Sequence, residues 1–237
     1  MTDRPVSTES GPAAPTSVTG LILAGGQARR MQAAGGQFGG AAGLLMPPQC
    51  RADWQGWDKG LMLLDGEPLV QHARRFLAPQ TVRLLISANR YPGLYAQYGD
   101  VFGDDPDLGE AQGPLAGIAS ALARVQTPWL AVLPVDVPHP PRDLFIRLAA
   151  ALRQEGHARV AFASTRQGDA GRDHPLCMLL RTELQTDLRA FLQAGERRVM
   201  SWLERNGALR VCFEDGEDAF RNINTPLDLR GQTRNRV

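Results

Sequence analysis

Three sets of residues have the types and spacing to do chemistry. The first is Leu21-Ile22-Leu23-Ala24-Gly25-Gly26-Gln27-Ala28-Arg29-Arg30-Met31, an apolar run that breaks at two adjacent glycines and is followed by paired arginines. Two glycines after a strand let the chain turn sharply and let a ligand reach bare N–H groups, which then cradle phosphate oxygens; Arg29 and Arg30 add positive charge. Neither G-x-x-x-x-G-K-[ST] nor G-x-G-x-x-G fits, so this is a nucleotide loop of another kind, or else an ordinary turn. The second is Asp136, held in Pro134-Val135-Asp136-Val137-Pro138 just after the most apolar run of the chain. A carboxylate at that end of a central strand is well placed to hold Mg2+ shared with phosphate oxygens; the alternative is a turn or cap aspartate ahead of the helix opened by Arg142. The third is Asn89, just past the apolar run Val82–Ser87, with a loop holding Asp104, Asp105 and Asp107 after the next strand-like run. Asn and Asp are also common turn formers.

These residues need elements to carry them. Apolar runs at Val18–Leu23, Val82–Ser87, Asp100–Gly103, Trp129–Leu133, Val160–Ala163, Leu176–Leu180 and Leu209–Phe213 read as strands. Helical periodicity fills Pro68–Leu77, the stretch from Gly113-Pro114 through Leu122, Arg142–Gln154, Glu183–Gln193 and Val199–Arg205. Strands alternating with helices of about 10–15 residues predict an α/β chain with a mostly parallel sheet covered on both faces. Gln167 to Gly171 reads as a loop. One domain is expected over residues 18–230, with a nucleotide half of about 18–140 and an acceptor half of about 141–230. The Ser-, Thr- and Pro-rich residues 1–17 read as a disordered tail, and residues 231–237 as a frayed polar one.

Composition narrows the possibilities. At 237 residues and 43% hydrophobic content the chain can bury a full core, and a formal charge of +1 gives no general attraction for nucleic acid. Cys50, Cys177 and Cys212 lack C-x-x-C spacing, and an odd number suits a reducing compartment. Cys177 and Cys212 fall in apolar runs and are expected to pack in the core. The four histidines lack zinc spacing. With no apolar run suited to a signal peptide or membrane span, a cytoplasmic protein that does not engage a membrane is expected.

Asp58-Lys59-Gly60-Leu61 and Gly66-Glu67-Pro68-Leu69 follow the first loop, and together they resemble the nucleotidyltransferase pattern L-x-G-G-x-x-x-R-M, then D-K, then G-x-P-L. Downstream come Ala88-Asn89-Arg90, Gly113-Pro114-Leu115-Ala116-Gly117, Pro134-Val135-Asp136-Val137-Pro138, Arg172-Asp173-His174-Pro175, Ala194-Gly195-Glu196-Arg197-Arg198-Val199-Met200 and Asn222-Ile223-Asn224-Thr225-Pro226. In this order they resemble the molybdenum cofactor guanylyltransferase family from Thr19 to about Leu229. The resemblance implies a Rossmann-like three-layer nucleotidyltransferase fold and transfer of GMP from GTP to the terminal phosphate of molybdenum-molybdopterin. It also implies Mg2+ (with Mn2+ as the alternative ion) held by Asp136, and Lys59 and Arg30 on the triphosphate. Leu23, Ala24, Gly25 and Gly26 would contact the nucleotide through the loop, and Asn89 and Asp104 would lie near the nucleoside, with Asp105 as the fallback for Asp104. Arg172, Asp173, His174, Arg197, Arg198, Asn222 and Asn224 would serve the acceptor side. Other proteins of molybdenum cofactor biosynthesis, or recipient apoenzymes, would be the protein partners.

Each acceptor-side residue also has a plain structural reading, as a solvated turn, a loop hydrogen-bond pair or a helix cap. Two rival activities remain open: a related nucleotidyltransferase using CTP or a sugar phosphate, and a noncatalytic nucleotide-binding protein. The chain departs from the family at Gln32–Trp57, which holds six glycines and Pro47-Pro48 where the family has only a few residues. Loop-closure entropy grows with the logarithm of length, so such an insertion costs roughly 2 kcal/mol and leaves the fold intact. Replacing residues 32–57 by Gly-Gly should therefore preserve the melting temperature and most activity. Loss of GTP binding with folding unchanged would instead make the segment a lid.

Overall fold

The computed structural model describes residues 17–24, 58–109, 113–167, 170–214 and 219–223. Gly25, Gly26, Arg30, Asn224, the 32–57 insertion and both tails lie outside the described residues.

Strand β1 (Val18–Leu23) shows why a parallel sheet forms. All six of its residues are buried, and its side chains alternate between two apolar clusters: Val18 and Ile22 belong to one, Leu21 and Leu23 to the other. A strand covered on both faces must be apolar throughout, unlike the half-polar alternation of a one-sided sheet. After the small hairpin of β2 (Leu63–Leu64) and β3 (Glu67–Pro68) come helix α1 (Leu69–Leu77), β4 (Arg83–Ser87), α2 (Pro92–Tyr95) and β5 (Asp100–Phe102). They are followed by α3 (Pro114–Leu122), β6 (Trp129–Pro134), α4 (Leu144–Glu155), β7 (Val160–Gln167), β8 (Ala170–Arg181), α5 (Gln185–Gln193), α6 (Val199–Arg205) and β9 (Leu209–Phe213). Among the described residues seven strands make one sheet in the order β5-β4-β1-β6-β8-β7-β9.

Helices cover both faces, as the alternation predicts. Leu69, Val70, Ala73 and Leu77 of α1 share one cluster with Leu144, Leu148 and Leu152 of α4. Leu115, Ile118 and Leu122 of α3 share the opposite cluster with Leu188 and Leu192 of α5 and Trp202 and Leu203 of α6. Among the described residues no helix is long and apolar enough to cross a membrane.

Two local expectations give way. The hairpin pairs Gln167 with Ala170, so both residues extend strands where a loop over residues 167–171 was expected, and β8 starts well before Leu176. The ladder hydrogen bonds of a long two-stranded arm outweigh the weak strand propensity of Gly171 and Asp173. The register then jumps from Phe162 opposite Met178 to Ala163 opposite His174, and Pro175, which has no N–H for the ladder, lies in that irregularity. The other exception is Cys212, which is exposed, because β9 is an edge strand and its outward face is uncovered. β8 runs antiparallel to both β6 and β7, and the β1, β4, β5 and β6 portion of the sheet is parallel.

Helix α3 approaches the sheet closely because Gly117 has no side chain. A Cβ there would meet Ser87 Oγ at 2.5 Å, Ser87 Cβ at 3.2 Å and Leu23 Cδ2 at 3.3 Å. Gly117→Ala should therefore push the helix off the ends of β1 and β4 and cost about 1–3 kcal/mol, read as a lower urea midpoint.

Candidate functional site

The carboxyl ends of β1, β4 and β6 lie side by side, and the hydrogen bonding continues past them. Ala24 N–H donates to Ser87 O at 2.9 Å, and Val135 N–H donates to Leu23 O at 3.2 Å. These bonds fix where the glycine loop departs and where the Asp136 turn begins. Leu23 and Ala24, two of the predicted loop residues, are buried at this edge.

Lys59 reaches the same place from a different part of the chain. Its Nζ donates to Asp136 Oδ2 at 2.8 Å, and the two side chains are only 13% and 20% exposed. Lys59 opens a 3-10 turn, Lys59–Leu61, whose cap is Asp58: the buried Asp58 Oδ1 accepts from Gly60 N–H at 3.2 Å. Asp58 also accepts from the Tyr95 hydroxyl, and Arg90 Nη2 lies 3.7 Å from Asp58 Oδ2. Burial pushes the Asp58 carboxyl above its ordinary value, against the lowering pull of the Tyr95 hydrogen bond and the Arg90 charge. Sequence reasoning had no means to find Tyr95. The Asp58 cap was detectable, since Asp two residues before a glycine N–H is a common turn signature.

Asn89 and Asp104 join each other beyond β4 and β5. Asn89 Nδ2 donates to Asp104 Oδ2 and Asp104 N–H donates to Asn89 Oδ1, both at 2.8 Å. Burial raises the Asp104 carboxyl, opposed by the Asn89 hydrogen bond. Asp105, the fallback, is engaged elsewhere, by Arg124 Nη1 at 2.8 Å and Arg189 Nη1 at 3.1 Å.

The acceptor-side candidates separate into three groups. Met178 of β8 lies opposite Val132 of β6, so the antiparallel start of β8 carries Arg172, Asp173 and His174 past the carboxyl end of β6, the end that bears Asp136. Asp173 is held by Arg210 through two bonds of 2.7 and 2.8 Å, and Arg172 is exposed. His174 is an interior residue: its Nε2 is hydrogen-bonded with Thr165 Oγ1 at 3.0 Å, and its ring stacks on Phe220 at 4.5 Å. Arg197 sits at the α5–α6 junction, donating to Leu192 O at 2.5 Å and Glu196 O at 2.6 Å, while exposed Arg198 occupies the position before α6 without a capping side-chain hydrogen bond. Asn222 comes next to Asp136 along the backbone, because Ile223 N–H donates to Asp136 O at 2.9 Å. The buried Asn222 Oδ1 has no hydrogen-bond partner among the described residues, an arrangement rare for a buried acceptor.

Among the described residues no cluster of three or more His, Cys, Asp or Glu could form a protein cage for a metal. A single hard carboxylate oxygen at the sheet edge suits Mg2+, which commonly takes one or two carboxylates and fills its shell with water and substrate phosphates. Cys177 is fully interior, and burial, with the Asp136 charge added, pushes its thiol well up, which removes it from thiolate chemistry.

A family model described as the MobA-like NTP transferase domain matches residues 20–209. The molybdenum cofactor guanylyltransferase of Shewanella amazonensis is 42% identical over 210 residues, covering 88% of this chain and 92% of that protein. The enzyme of the same name from Burkholderia orbicola is 40% identical over 230 residues, covering 94% and 98%. Among solved structures, molybdopterin-guanine dinucleotide biosynthesis protein A of Archaeoglobus fulgidus superposes with a TM-score of 0.64 at 19% identity, covering 90% of this chain and 95% of that one. A nucleotidyl transferase of Methanothermobacter thermautotroptrophicus gives 0.63 at 15% identity, covering 93% and 97%. At such identities the two structures speak to the fold.

His174 supplies a pH test. Burial first, and the Arg172 charge second, lower its pKa from 6.5 to about 4, with Asp173 opposing. The folded-state value lies below the unfolded one, so as pH falls the unfolded chain takes up the proton first. Stability should be complete above about pH 6.5 and decline toward pH 4, by on the order of 2–3 kcal/mol in all. Urea midpoints across that range should show the slope, and His174→Gln should flatten it.

Proposed function

We propose that this chain, which belongs to the MobA-like NTP transferase family, transfers GMP from GTP to the terminal phosphate of molybdenum-molybdopterin, releasing pyrophosphate and forming the guanine dinucleotide cofactor. It is a nucleotidyltransferase, and the observation that carries the reading is the Lys59–Asp136 pair at 2.8 Å on the carboxyl edge of the sheet. A half-buried ion pair contributes little net stability once desolvation is counted, so a cation and a carboxylate kept together at a ligand edge suggest a site for phosphate and metal.

In this reading an anionic oxygen of the acceptor phosphate attacks the α-phosphorus of GTP. The new P–O bond forms as the bond to the β-phosphate oxygen breaks, and the electron pair leaves with pyrophosphate. A phosphate monoester with its second pKa near 6 is already largely ionised at neutral pH, so no strong general base is needed. Asp136 would hold Mg2+, which supplies charge neutralisation on the phosphate oxygens. Lys59 moves from its carboxylate partner to the triphosphate and stabilises the charge that grows on the leaving group. Backbone N–H groups of Leu23, Ala24, Gly25 and Gly26 cradle phosphates, and Arg30 adds charge. Asn89 and Asp104 serve the nucleoside, the carboxylate suiting the N1 and N2 donors of guanine.

The pterin side is assigned to the segment from Asn222 to Asn224 and the start of β8. The buried Asn222 Oδ1, without a hydrogen-bond partner among the described residues, supports that assignment, since it would accept from a donor on the ligand. The cytoplasm as location, with cofactor-synthesis proteins or recipient apoenzymes as hand-over partners, belongs to the same proposal.

Pyrophosphate release by the purified protein, with GTP or CTP and with or without the molybdenum pterin, tests this. Release should require the pterin, and GTP should exceed CTP in kcat/KM by at least about tenfold, the low end of what small pocket differences give. Asp136→Asn should fold normally and lose about a hundredfold or more in turnover, consistent with several kcal/mol of metal stabilisation. Equal use of CTP would remove the guanylyl assignment, and full activity of Asp136→Asn would remove Asp136 from the site.

A further inference from the structure

Beside the Lys59–Asp136 pair lies a buried polar cluster that nothing in the reaction touches directly. Asp58 is 3% exposed, and Tyr95 is fully buried although it carries a hydroxyl. Burying a carboxylate and a phenol together is costly unless their hydrogen bonds are satisfied, and an apolar pair would serve the core as well. Their arrangement is specific. The Tyr95 hydroxyl and Gly60 N–H both donate to Asp58 Oδ1, and Arg90 Nη2 stands 3.7 Å from Asp58 Oδ2.

The sequence around the cluster is fitted to it. A Cβ on Gly60 would overlap the Tyr95 hydroxyl and lie 3.1 Å from Tyr95 Cε1 and Cζ, so only glycine leaves room for that hydroxyl against the turn. Tyr95 itself is delivered by α2, which starts from Tyr91 in a left-handed conformation (φ 52) and Pro92. A residue with a bulky side chain at positive φ is uncommon and is sustained only where its surroundings demand it.

We propose that Tyr95 and Asp58 are positioning residues for Lys59: the Tyr95 hydroxyl clamps the Asp58 carboxylate, the carboxylate caps the Lys59–Leu61 turn, and the turn aims the Lys59 amine at the reacting phosphates. Lys59 sits one residue from the clamped carboxylate and one residue before the glycine it caps, so a rotation of this turn moves the amine directly. The clamp acts on orientation, not on charge. This inference rests on the reading of Lys59 as the triphosphate cation.

The test compares Tyr95→Phe, Asp58→Ala, Asp58→Asn and Lys59→Ala by pyrophosphate release, normalised to folded protein from melting curves. Tyr95→Phe keeps the ring and loses only the clamp. It should lower kcat about tenfold while the KM for GTP stays within about twofold, the pattern of an interaction strengthened in the transition state. Asp58→Ala should fall at least as far. Asp58→Asn, whose amide oxygen still accepts from both Gly60 and Tyr95, should be rescued to within about threefold of the unmodified enzyme. Unchanged kcat in Tyr95→Phe beside a large loss in Lys59→Ala would overturn the clamp and leave the site reading standing. Asp58→Asn as impaired as Asp58→Ala would also overturn it, because charge would then be the requirement. Full activity in Lys59→Ala would sink the site reading itself.

Discussion

The parallel alignment of β4, β1 and β6 governs everything else in this molecule. Because these three strands run the same way, every loop that leaves them at the carboxyl end emerges at one edge. Two hydrogen bonds carry the order a residue beyond the strands, from Ala24 to Ser87 and from Val135 to Leu23. The end of β1 at Ala24, the Asp136 turn and the Asn89 segment are thus set beside one another by backbone geometry before any side chain acts. Gly117 matters for the same reason, since α3 must lie close over the ends of β1 and β4.

On that edge the protein keeps opposite charges in contact at a moderate cost in desolvation. Lys59 and Asp136 are 77 positions apart in sequence and 2.8 Å apart in space. Exposed pairs contribute about 0–1 kcal/mol, and in a pair as enclosed as this one desolvation offsets much of the attraction, so stability does not account for it. A lysine resting on a carboxylate keeps each group compensated, and in the proposed reading the pair is held ready for phosphate and metal. Binding of a metal-triphosphate complex would exchange one set of charge contacts for another, with both partners already in place.

The half of the sheet beyond β6 follows another logic. Here β8 is antiparallel, and its long arm with β7 projects past the edge, bringing Arg172, Asp173 and His174 to the same end as Asp136. Much of that group is internally engaged: Asp173 by Arg210, His174 by Thr165 and Phe220, and Arg197 by the carbonyls ending α5. These contacts fix the packing on that side of the sheet. Asn222 differs from these, since its buried oxygen has no hydrogen-bond partner among the described residues.

The sequence alone determined the order of the seven main strands and the longer helices, though not the β2–β3 hairpin or α2, together with the two-sided burial of β1 and the motifs that fall at strand ends, because apolar periodicity and glycine or proline punctuation are local properties. It marked Asp136, Lys59, Asn89 and Asp104 as residues of interest, and it left Asp104 and Asp105 as alternatives. Only the tertiary structure gave the two different partners, 15 to 84 positions away: Asn89 for Asp104, and Arg124 and Arg189 for Asp105. It likewise exposed Cys212, extended β8 through Asp173 and His174, and turned the His174 ring inward, outcomes fixed by which strand is an edge and which pairs with which. Tyr95 had no signature in the sequence at all. Its hydroxyl gains meaning only when the fold sets it over Gly60 and against Asp58, 37 positions distant.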